Sequence, residues 1–156
     1  MQYIESPSPV LTDPVSSVFL AGGITGCPDW QQEMCGKLDD SGFGGRVYNP
    51  RRADFPIHDP NAALAQITWE YYALEQSDAI SFWFAKETIQ PIVLFELGRW
   101  SGKNKPIFVG VHPEYPRRQD VEIQMKLARP EVLIVQTLVE LTSQVCDWER
   151  AQLTSD

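Results

Sequence analysis

Short apolar runs rich in β-forming residues, each followed by a stretch with helical spacing, recur five times along the chain, and this alternation constrains the fold more than any other feature. Residues 18–21, VFLA, form the first run and end at Gly22-Gly23; residues 29–38 then carry helical spacing before a stop at Gly42, Gly44 and Gly45. Residues 46–48 read as a second strand broken by Asn49-Pro50. Asp59-Pro60 predicts the start of the next helix, with Asp as N-cap and Pro at the first helical position, running to Gln76.

Residues 79–84 are apolar almost throughout, as expected of a strand covered on both faces. A helix over 92–100 stops at Gly102, and a fourth strand covers 106–111. Asp120 is the expected N-cap of a helix ending near Ala128, residues 132–136 make a fifth strand, and a C-terminal helix follows. Such a repeat forms a doubly wound five-stranded parallel sheet with helices on both faces, in the flavodoxin-like order 2-1-3-4-5. Residues 1–15 contain three prolines and are expected to form an extended arm, leaving 16–156 as a single α/β domain.

In a sheet of this kind ligands bind outside the carboxyl ends of the strands, which selects the residues that matter. After the first strand come Ala21, Gly22 and Gly23, where backbone can approach a ligand closely or simply turn, and then Asp29 and Trp30. Asp29 stands where either a helix cap or a ligand contact is expected. After the second strand, Asn49, Arg51, Arg52 and Asp54 lie beside Phe55, a mixture suited to a nucleobase-sized ligand or to a solvated loop. After the third strand, Glu96 falls in PIVLFELG among Val93, Leu94, Phe95 and Leu97, where a carboxylate costs free energy unless it is paired or used. Glu70, in ITWEYYALEQSD, is a second acid in an apolar helix. Asp78 belongs to the amino end of its strand and reads as structural. After the fourth strand, Arg117 and Arg118 precede Asp120 and could pair with carboxylates, clamp a phosphate or face water.

Thirteen Lys and Arg against 21 Asp and Glu give a net charge of −8, which disfavours a nucleic-acid polymer as partner. No apolar run is long enough for a membrane helix, and the N-terminus lacks the pattern of a secretory signal. Three cysteines without a CxxC pair fit a reducing cytoplasm, and two histidines without ligand spacing give no reason to expect a metal.

The segments VFLAGGITG, NPRRADFP, WEYYALEQSD and above all PIVLFELG, in that order and spacing, resemble the nucleoside 2-deoxyribosyltransferase-like family over roughly residues 16–136. The resemblance implies a flavodoxin-like fold and no cofactor. It implies that Glu96 attacks the anomeric carbon of a 2′-deoxynucleoside and holds the sugar as an ester until a second, free nucleobase takes it. Glu70 matches the acid that manages the nucleobase proton, and Asp120 the side chain that meets the sugar hydroxyls, often across subunits of a homo-oligomer. Two positions depart from the better-known members: Phe19 replaces an orienting tyrosine, and Gln90, with Thr88 nearby, replaces an acid six residues before the nucleophile. Two other readings keep the same pocket. One is a nucleoside or nucleotide N-glycosidase, with Arg117 or Arg118 reading a 5′-phosphate; the other is a noncatalytic nucleotide-binding domain.

Overall fold

Why the apolar runs become buried parallel strands is visible in the side-chain alternation along each one. The computed structural model describes residues 1–154. Strands β1 (Gln2–Glu5), β2 (Ser17–Gly22), β3 (Arg46–Asn49), β4 (Ala79–Phe84), β5 (Ile107–Val111) and β6 (Ile134–Val135) form one parallel sheet in the order β1-β3-β2-β4-β5-β6. Between and after them run α1 (Trp30–Asp40), α2 (Ala62–Gln76), α3 (Pro91–Ser101), α4 (Arg118–Ala128) and α5 (Leu138–Leu153).

Phe19 and Ala21 of β2 and Ile80, Phe82 and Phe84 of β4 point to one face, where Trp69 and Leu74 of α2, Val93 and Leu97 of α3 and Val121 and Met125 of α4 cover them. Val18, Leu20, Ala79 and Trp83 point the other way, onto Met34 and Leu38 of α1 and Leu141 and Val145 of α5. The two-residue side-chain period thus divides each strand between two apolar cores, and the five expected strands appear in the expected flavodoxin-like order.

The sheet has a sixth strand that the prolines concealed. Gln2–Glu5 pairs with Arg46–Asn49 at the sheet edge, because Pro7, Pro9 and Pro14 all lie beyond it. The segment that follows is bound to the domain: Asp13 pairs with the buried Arg46 at 2.7 Å, and the Tyr48 hydroxyl donates to Leu11 O at 3.0 Å.

Two helix starts differ from expectation. Asp59 does not cap α2; it forms a turn, accepting from Asn61 N at 2.9 Å, and the helix begins at Ala62 with Asn61 as its N-cap. Asp120 is not the N-cap of α4 but lies in its first turn, with Arg117 in the capping position. In both cases acidic charge near a helix start suits the macrodipole without fixing the boundary. The fifth expected strand shrinks to Ile134–Val135 at the far edge. Among the described residues, no helix is long and apolar enough to cross a membrane.

Candidate active site

Helix α3 follows β4 after the loop of residues 85–90, and the way it begins sets its direction. Gln90 takes a left-handed backbone conformation, with φ of 56° and ψ of 60°, and Pro91 then opens the helix at a position that needs no N–H donor. The Gln90 side chain is buried and explains how this conformation is held. Its Nε2 donates to Ala85 O at 2.7 Å, and its Oε1 accepts from Gly23 N at 2.9 Å. One amide therefore ties the loop after β2 to the loop after β4.

With α3 so directed, Val93, Leu97 and Trp100 meet the core, and the half-buried Glu96 side chain turns towards α2. On α2, Trp69 and Ala73 are buried and Glu70 is half-buried beside them. Both carboxylates line a cleft of about 380 Å³ at the carboxyl ends of β2 and β4. Its other walls are Phe19, Ala21, the Gly22-Gly23 backbone, Ile24, Thr25, Pro50 and residues 88–93. A second groove of about 470 Å³, between α2 and α3, shares Glu70, Ile92 and Glu96 with the first and adds Phe55, Ile67, Tyr71, Phe95 and Arg99. The two acids stand where the cavities meet.

Burial pushes the Glu96 carboxyl up to about 8; the charge of Glu70 adds to the rise and Arg99 opposes it. Arg99 is itself drawn to Glu75, with which it pairs. Burial also raises Glu70, against a hydrogen bond donated by Gln66. No hydrogen bond from the described residues reaches the Glu96 carboxylate. Two carboxyl groups in one apolar cleft resist simultaneous ionisation, so near neutral pH the pair retains a proton. One member can then act as nucleophile while the other gives or takes that proton.

Of the residues singled out from sequence, Ala21, Gly22, Gly23, Glu70, Thr88, Gln90 and Glu96 come together at this cleft. Asp29, Trp30, Asn49 and Arg51 stand behind its wall. Trp30 Nε1 donates to Gly23 O at 3.0 Å, Asp29 caps α1 by accepting from Gln32 N, and Asn49 Nδ2 donates to the Tyr3 hydroxyl at 2.9 Å. Arg51 donates to Pro28 O at 2.8 Å and Cys27 O at 3.2 Å, bracing the loop after β2. Gly22 allows this packing: a Cβ there would lie 2.3 Å from Trp30 Cζ2 and 2.6 Å from Trp83 O.

Arg118 and Asp120 lie elsewhere. Arg118 pairs with Glu122 at 2.6 Å, and Asp120 pairs with Arg117 at 3.0 Å beside a separate groove between α3 and α4. Sequence reasoning did not single out Ile24, Thr25, Pro50, Ile89, Ile92 or Val93 as cleft walls, nor Gln66 as a partner of Glu70. The separation of four between Gln66 and Glu70 on one helix was the available signal.

No curated protein matches the chain. Residues 15–115 match the family described as nucleoside 2-deoxyribosyltransferase like, a span that runs from β2 through β5 and contains both cleft acids. The chain belongs to the nucleoside 2-deoxyribosyltransferase-like family.

Proposed function

We propose that the protein is a nucleoside 2-deoxyribosyltransferase in which Glu96 is the nucleophile and Glu70 handles the nucleobase proton. The observation that carries this reading is the convergence of the two half-buried acids on one largely apolar cleft. Cleavage of an N-glycosidic bond develops positive charge on the sugar, which a carboxylate at the anomeric carbon stabilises and then captures. With the one proton of the pair on Glu70 and Glu96 ionised, the Glu96 oxygen bonds to C1′ as the C1′–N bond breaks. The electron pair of that bond leaves with the base nitrogen, which receives the proton from Glu70. An incoming base, losing its proton to Glu70, then attacks C1′ from the opposite face, and the ester C–O pair returns to Glu96. Two inversions give net retention.

The residues lining the cleft include two acids and no Lys or Arg, in a chain of net charge −8. This favours a neutral nucleoside over a 5′-phosphorylated substrate, which would need cationic partners. Arg118, the candidate phosphate reader, is paired with Glu122. Asp120 enters the reading as a contact to the sugar hydroxyls only through assembly, as a residue given to a neighbouring subunit of a homo-oligomer. Exposed Ile67, Tyr71, Ile92 and Phe95 flank the acids and supply apolar surface for such an assembly.

The test is chromatography of a reaction containing a 2′-deoxynucleoside and a different free base, beside Glu96→Ala and a control without acceptor. The new deoxynucleoside should form with the unaltered protein and be lost in the variant. Free sugar with no new deoxynucleoside would replace the transferase reading with an N-glycosidase. Turnover that survives Glu96→Ala would overturn the mechanism, and tight binding without turnover would leave a nucleoside-binding domain.

A further inference from the structure

The N-terminal strand and the residues just after it precede the stretch that matches the family, yet they reach one of the cleft acids through a single side chain. We propose that Gln66 is a positioning residue for the Glu70 carboxylate and that Ser6, immediately after β1, fixes the orientation of the Gln66 amide. This inference rests on the assignment of Glu70 to the reaction.

Gln66 Nε2 donates to Pro50 O at 2.7 Å and to Glu70 Oε1 at 2.8 Å, while the Ser6 hydroxyl donates to Gln66 Oε1 at 2.8 Å. The chemistry of the partners allows no other arrangement of the amide. The Pro50 carbonyl can only accept, so the nitrogen must face it, and the same nitrogen has a second proton for Glu70. The Gln66 oxygen is left facing Ser6, whose hydroxyl can donate. Ser6 is buried and is itself located by its backbone N–H, which donates to Asn49 O at 3.1 Å. Two residues further on, Ser8 O accepts from Trp69 Nε1 at 2.6 Å, so this segment lies along the same helix that carries Glu70.

The consequence for Glu70 is twofold. Its Oε1 is occupied, which leaves Oε2 as the oxygen available to a nucleobase. A donor held against a carboxylate also favours the ionised form, offsetting part of the effect of burial. The charged and titratable groups that face Glu70 across the two cavities are Glu96 and Arg99 of α3, with Tyr71 on its own helix. The β2 and β3 sides present Phe19, Gly22-Gly23 backbone and Pro50, none of which titrates. Among the described residues, Gln66 is therefore the neutral donor that links the N-terminal segment to the pair.

Gln66→Met, Ser6→Ala and Ser6→Thr test this in the full chain, with the titration of the Glu70 carboxyl followed by NMR and the pH dependence of base exchange measured alongside. Gln66→Met should move the Glu70 titration to higher pH and carry the pH–rate profile with it, and through the loss of the held carboxylate orientation it should lower kcat at the optimum roughly tenfold, with KM little changed. Ser6→Ala should move both in the same direction by less, and Ser6→Thr, which keeps the hydroxyl, should behave as the unaltered protein. A Glu70 titration unmoved by Gln66→Met in a folded protein overturns the inference, as does Ser6→Thr behaving like Ser6→Ala. If Gln66→Met does not fold, the two Ser6 variants decide the matter. Absence of base exchange in the unaltered protein would sink the transferase reading alone, since the titration needs no substrate.

Discussion

At the amino ends of the strands, Asp78 Oδ2 accepts from both the N–H and the hydroxyl of Ser17, each at 2.8 Å. At the carboxyl ends, Glu96 sits half-buried with no hydrogen bond from the described residues and with a second acid beside it. Both are carboxylates next to the same parallel sheet, and they differ in what the backbone offers. Ser17, at the start of β2, offers Asp78 a backbone N–H and a hydroxyl, which satisfy it locally; at the other end the Gly23 N–H is taken by Gln90, and no donor among the described residues reaches Glu96. An acid at that end keeps its acceptor capacity for something that arrives from outside. The comparison separates a carboxylate that holds the fold from one the fold holds ready.

Removing Glu96 probes the difference hardest. Glu96→Gln should lower base exchange by at least about 10³-fold, because an amide cannot form the glycosyl ester. The same change should stabilise the fold at alkaline pH. A carboxyl raised from the ordinary 4.5 to about 8 costs the folded state nothing while both states are protonated. The cost grows as pH rises from 4.5 and is complete above about 8. Thermal melts should therefore show no gain for Glu96→Gln near pH 4 and a gain on the order of 2 kcal/mol near pH 9, after discounting for partial exposure. A variant destabilised at pH 9 would break the contrast with Asp78.

Glu70→Gln should lower kcat roughly 10²-fold by removing the proton donor to the departing base. It should also shift the Glu96 titration to lower pH, since the neighbouring charge that helps raise it is gone. NMR titration of the Glu96 carboxyl reads this directly, and no movement would mean that the two acids are not coupled.

Gly22→Ala acts on the wall rather than on the acids. Its Cβ would collide with Trp30 and the Trp83 carbonyl, so denaturant unfolding should register a loss of about 1–3 kcal/mol. Ser17→Ala, at the opposite end, should cost about 1 kcal/mol by removing the hydroxyl that donates to Asp78, and should leave kcat for base exchange unchanged. A fall in kcat there would mean that the two ends are not independent.

What could be read from the sequence divides along the same lines. β4 is found at the residues expected, because AISFWF is apolar on both faces and only a doubly covered strand accommodates that. Glu96 could be singled out because a carboxylate among the apolar residues of PIVLFELG costs free energy unless it is paired or used. β1 was hidden since proline content marks the segment as a whole while the strand ends before the first proline. Asn49, Arg51 and Trp30 look like ligand contacts in sequence, yet their polar groups are taken by Tyr3, Cys27, Pro28 and Gly23, partners between 7 and 46 residues away. Pairings over such distances leave no local pattern. The walls at Ile89, Ile92 and Val93 were illegible for the converse reason, since an apolar residue at a helix start looks the same whether it faces core or cavity.

The Gln90 bridge sets a rule for altering this pocket. Because one amide spans Gly23 and Ala85, the two loops it joins have matched lengths, and an extra residue in either would pull one end of the bridge out of reach while leaving the other end buried and unpaired. Changes to the size of the cavity are best tolerated on the helical wall, at Ile92, which is largely exposed and joins neither loop.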